Sequence, residues 1–173
     1  MGMTPMQFFE SFVKGNNDDC HENPGCVRRA FNASVAASHL ADHYFTYNKN
    51  HEPALVSKFA ALGNYVDHLS RQTGGAFRDI RSIANAYKHL YTDIDPKKIT
   101  YNSVSSPAAI ESIEIHGDGL EINSISAEYA TKSGVQESRS FVSFTRKDGS
   151  KSEFLPILDA VVDYWRGEIY KSA

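Results

Sequence analysis

The chain has 173 residues, of which 41% are hydrophobic and 23% charged, and a formal net charge of -3 at pH 7. That length suits one domain spanning 1-173, and the composition excludes disordered and fibrous classes. A surface basic throughout is excluded as well, although a local basic patch stays open to an anionic partner.

The opening stretch MGMTPMQFFESFVKG lacks the basic leader and long apolar run of a signal peptide, and no run approaches the roughly 18 apolar residues of a membrane span. A cytoplasmic protein without membrane association is expected. Thr4 as N-cap, Pro5 at the first position and Gln7 closing a capping box start a first helix. Phe8, Phe9, Phe12 and Val13 form its apolar face, and Gly15 is expected to end it. Cys20 and Cys26 then fall in a polar loop, GNNDDCHENPGC. Their spacing is not that of a zinc knuckle, even with His21 beside them, so free thiols are expected.

From Cys26 to about Tyr47, apolar residues recur at helical spacing, and the ridge Ala30, Ala33, Ala37 and Ala41 lets a second helix approach closely. A third helix carries the stripe Leu55, Phe59, Leu62, Val66 and Leu69. Gly74 and Gly75 break it, and a fourth buries Phe77, Ile80, Ile83, Ala84, Tyr87, Leu90 and Tyr91 before Pro96. Short connections between such helices favour an antiparallel bundle over 1-95.

Beyond Pro96 the texture turns to β-branched and aromatic residues broken by Gly, Asn and Ser. Strands are expected at 112-116, 120-123, 126-131, 138-146 and 152-155, with hairpin turns at Asp118-Gly119 and Asp148-Gly149. A terminal helix from Pro156 carries Ile157, Leu158, Val161, Val162, Trp165 and Ile169. The expected class is α+β: a mainly helical antiparallel bundle of about four helices, then a small antiparallel β-meander and a C-terminal helix. Phe141, Phe144, Phe154 and Trp165 are expected in the core.

The fourth helix holds the main candidate site. At about 100° per residue, Arg78, Arg81, Ser82, Asn85, Lys88 and His89 fall within an arc of about 120° opposite the apolar stripe. Guanidinium, amide and imidazole groups there provide anion binding, orientation and a group titrating near neutrality. A solvated helix face is the plainer reading of the same arc. On the second helix, His39 and His43 have the four-residue spacing at which two imidazoles meet one metal, with Asp42 between them. Further ligands would have to come from Asp67 or His68, and interhelical hydrogen bonding is the alternative. No metal or other cofactor is expected, and phosphate loops, nucleophile elbows and dinucleotide fingerprints are missing from the sequence.

The Arg81 to His89 helix resembles that of the HEPN superfamily of helical ribonucleases and toxins, over about residues 26 to 92. The string ANAYKH is also similar to a helix of uncharacterised bacterial proteins with the pattern ANAxKH. The HEPN resemblance implies a metal-independent RNA-cleaving site assembled by paired subunits. His89 would act as general acid or base, Arg81 would stabilise charge on phosphorus and Asn85 would orient the scissile group, with Arg78 and Lys88 contacting RNA. Arg81 and His89 stand further apart here than in that family, with a rise of about 12 Å between them. The first expectation is therefore a non-enzymatic binding or interaction module, able to form a homodimer through this face. A HEPN-like RNA-binding protein or endoribonuclease of a defence or toxin system is the second.

Overall fold

The computed structural model describes residues 2-89, 102-115, 121-123 and 138-171. The first helix begins as expected. In α1 (Pro5-Phe8), the Gln7 backbone donates to Thr4 Oγ1 at 3.2 Å, and the Thr4 backbone donates to the Gln7 side chain at 2.9 Å. It does not stop at Gly15. A π-helical stretch (Phe9-Lys14) runs into α2 (Gly15-Glu22), with Gly15 in the right-handed helical region at φ -60° and ψ -41°. Glycine costs a helix about 1 kcal/mol, a penalty that burial along one face can offset. Phe9, Val13, Asn17 and Cys20 are all buried on this helical run. The expected polar loop shrinks to the few residues before α3.

Pro24 and Gly25 run close against the sheet. The Pro24 carbonyl accepts from the Val142 backbone at 2.8 Å. A Cβ on Gly25 would lie 2.7 Å from Ser140 Cβ, so only glycine fits.

The long helix α3 (Val27-His51) buries Ala30, Ala33, Ala37 and Ala41, and it packs against α5 (Ala76-His89). The third helix starts later than its apolar stripe suggests. Pro53 opens a 3-10 turn closed by the Val56 backbone on the Pro53 carbonyl at 3.1 Å, and α4 is Leu62-Gln72. Leu55 is left exposed, while Val56 is buried. Phe59 joins the core edge-on to Tyr65 at 5.1 Å.

Among the described residues four antiparallel strands follow: β1 (Ile110-Ile115), β2 (Glu121-Asn123), β3 (Arg139-Thr145) and β4 (Lys151-Glu153). Their order across the sheet is β2-β1-β3-β4, so β3 lies beside β1, pairing Ile110 with Phe144 and Ser112 with Val142. Between β3 and β4, the Gly149 backbone donates to the Arg146 carbonyl at 2.9 Å, and the Arg146 backbone donates to the Ser150 carbonyl at 2.8 Å. Gly149 sits at φ 85°, the left-handed residue that a three-residue hairpin loop needs. The expected strand at 126-131 and the turn at Asp118-Gly119 lie outside the described residues, as do Leu90 and Tyr91.

Helix α6 (Phe154-Lys171) starts directly after β4 and packs on α3, α5 and β3. Leu158, Val161, Val162, Trp165 and Ile169 are buried, with the Trp165 ring 5.5 Å from Tyr44. Phe144 and Phe154 are buried as expected, whereas Phe141 is half-buried beneath the Arg139 guanidinium at 5.3 Å. The class is α+β, with the helices and the sheet sharing one cluster of buried side chains.

Candidate functional site

The turn between α4 and α5 shapes the site. The Gly75 backbone donates to the Ser70 carbonyl at 2.7 Å and that of Gly74 to the Arg71 carbonyl at 3.3 Å, with Gly74 at φ 60°. This paired closure meets the Ser70 and Arg71 carbonyls at the end of α4. The Thr73 hydroxyl donates to the Leu69 carbonyl at 2.9 Å and accepts from the Phe77 backbone at 3.0 Å, tying the end of α4 to the start of α5.

Between the two helices lies a cavity of about 500 Å³. From α4 it is lined by Leu62, Gly63, Val66, Asp67, Ser70 and Arg71, positions one helical turn apart that share a face. From α5 come Arg78, Arg81 and Asn85, and Asn102 closes one edge. Among the described residues three guanidinium groups therefore line one cavity together with one carboxylate, Asp67. The Ser70 hydroxyl on this lining donates to the Val66 carbonyl at 3.0 Å. Among the described residues of the lining there is neither imidazole nor thiol. Such a lining can hold an anion and orient a polar group.

The chain significantly matches no protein-family model, no curated protein and no solved structure.

Of the residues singled out from sequence, Arg78, Arg81 and Asn85 are brought together in this cavity. Arg81 is not bare: its Nη1 donates to Asp42 Oδ1 at 3.0 Å and to Ser38 Oγ at 3.3 Å. The Asn85 amide donates to Asn102 Oδ1 at 3.3 Å. Lys88 is exposed and does not line the cavity. His89 ends α5, and its side chain lies outside the described residues. Ser82 departs from the exposed arc, being 1% exposed. Its hydroxyl donates to the Arg78 carbonyl at 2.7 Å and accepts from the Ser103 backbone at 2.8 Å.

The residues weighed for metal do not converge. Asp42 faces Arg81, His43 Nε2 meets the Met3 carbonyl at 2.9 Å and stacks on Phe8, and His39 is exposed. Among the described residues no group of three or more His, Cys, Asp or Glu side chains could hold a metal ion. His21 instead meets Asp159 at 2.8 Å, and both cysteines are free thiols. Burial pushes the Cys20 thiol up to about 12, and the neighbouring Asp19 adds to the rise.

The main feature missed from sequence is Asp79. It is 5% exposed in the first turn of α5 and is held by Arg146 from the β3-β4 turn. Ser103 Oγ also donates to Asp79 Oδ1 at 2.6 Å. This hydrogen-bonded pairing raises the Arg146 guanidinium pKa further. A sequence signal was present: Asp79 falls within the arc of Ile83 and Ala86, both fully buried, and a carboxylate there requires a cation. Arg78 and Asn102 also line a second cavity, of about 690 Å³, which Asp79, Ser103 and Arg146 border.

Proposed function

We propose that the chain is a non-enzymatic binding module whose α4-α5 cavity takes up an anionic ligand. The observation that carries this is the placement of Arg71, Arg78 and Arg81 around one cavity of about 500 Å³, a size common for small-molecule sites. Guanidinium forks match carboxylate and phosphate oxygens in pairs. Leu62 and Val66 give the ligand's body an apolar wall, and the Asn85-Asn102 amides offer further donors and acceptors.

RNA cleavage, implied by the HEPN resemblance, draws less support. Arg81 is engaged by Asp42 and Asn85 by Asn102. No helix among the described residues is long and apolar enough to cross a membrane, and two free thiols accord with a reducing, cytoplasmic setting.

The test is a thermal-shift panel of organic carboxylates and phosphates at low and high salt, with a short single-stranded RNA alongside. Stabilisation by organic anions that weakens with salt and disappears in Arg71→Gln/Arg78→Gln is expected. Stabilisation by none of the anions, or RNA cleavage by the purified chain, would overturn the proposal.

A further inference from the structure

The charges in the cavity are of both signs. Asp67 and Arg71 stand one turn apart on α4, an i,i+4 arrangement that favours pairing between opposite charges. They make no ion pair with each other, nor with any other described residue, and both line the cavity. Arg81, by contrast, is already neutralised by Asp42. The open positions are thus a carboxylate and a guanidinium on one wall, with Leu62 and Val66 continuing that wall as apolar surface.

Resting on the anion-binding proposal, we infer that the ligand is a zwitterionic short peptide of about two residues. Its carboxylate meets Arg71 and Arg78, its ammonium meets Asp67, and an apolar side chain lies on Leu62 and Val66. Spacing supports two residues over one. A four-residue step on a helix rises about 6 Å. An extended chain advances about 3.5 Å per residue, so the termini of a dipeptide are separated by a similar distance. The Asn85-Asn102 amide pair lines the same cavity and supplies the donor and acceptor that the peptide group between them needs. A dianionic ligand suits the cavity less well, because Asp67 would stand against its second charge.

The experiment is isothermal titration of the full chain with Leu-Leu, N-acetyl-Leu-Leu and Leu-Leu-amide. Leu-Leu is expected to bind at least ten-fold more tightly than either capped form. Asp67→Asn should weaken Leu-Leu about ten-fold while leaving N-acetyl-Leu-Leu unchanged, and Arg71→Gln should weaken both. Both side chains are exposed, so folding of the variants is checked by circular dichroism. Equal binding of Leu-Leu and N-acetyl-Leu-Leu would overturn the zwitterion inference and leave the anion site standing. Binding of none of the three, together with a flat anion panel, would overturn both.

Discussion

Arg146 grips both carboxylate oxygens of Asp79 across 67 residues of sequence, with Nε at 3.1 and 3.0 Å and Nη2 at 2.6 Å. The same guanidinium donates to Ser152 Oγ at 2.7 Å and lies 5.0 Å from the Phe144 ring centroid. One side chain thus joins α5, the β3-β4 turn and the sheet. Removing one partner strands a buried charge, so Asp79→Ala should lower unfolding stability by about 3 kcal/mol. Arg146→Ala should cost a similar amount, and the double variant less than the sum of the two, as read from urea denaturation.

The Asp42-Arg81 pair should behave differently. Its side chains are 40% and 26% exposed, and pairs this open to solvent contribute about 0.5 kcal/mol once screening is counted. Asp42→Asn should therefore leave the melting temperature nearly unchanged. It should also release Arg81 to the cavity and raise the affinity for organic carboxylates several-fold at low salt. Unchanged affinity in a calorimetric titration would show that Arg81 does not reach the ligand.

The two cysteines should differ in reactivity. Cys20 is 3% exposed, with its thiol pKa held near 12, and Cys26 is partly exposed at the start of α3. Thiolate is the reactive form. Iodoacetamide at pH 8 should modify Cys26 alone in the native protein and both thiols in concentrated guanidinium, as resolved by peptide mass spectrometry.

His68 supplies a pH dependence. Burial lowers its pKa below the usual imidazole value, and the nearby Lys58 and Arg71 lower it further, against a smaller opposing effect of Glu168. The folded state thus favours neutral His68. Its contribution is fully present above the unfolded value, about 6.5, and is lost as pH falls through the folded pKa. His68→Gln should flatten the loss of stability between pH 7.5 and 5.5 relative to wild type, measured by urea denaturation at each pH.

Gly25 offers a steric test. Gly25→Ala places a methyl group 2.7 Å from Ser140 Cβ, an overlap that side-chain rotation does not relieve. A cost of about 1-3 kcal/mol is expected. The same substitution made in a Ser140→Gly background should cost much less, as read from paired thermal melts.

Local rules carried far along this sequence. The Thr4-Pro5-Gln7 start, the alanine ridge of α3 and the Asp148-Gly149 turn are set by residues within a few positions of each other, and all three form. Gly15 and Leu55 went the other way: packing carries the first helix through a glycine, and the local turn opened by Pro53 leaves Leu55 outside α4. Helical periodicity grouped Arg78, Arg81 and Asn85, yet it could not show that Asp42, Asn102 and the α4 face surround them. The Asp42 and Asn102 contacts span 39 and 17 residues, and a polar arc looks the same in sequence whether water or another element covers it.

The burial of Trp165 against Tyr44 bears on how the chain is made. The core between α3 and α5 lacks that ring until α6 leaves the ribosome, and truncating a buried Trp costs about 3-5 kcal/mol. Helices completed earlier in synthesis must therefore wait, with apolar surface uncovered, for α6. Nascent chains arrested before residue 165 should depend on chaperones to a degree that the finished protein does not.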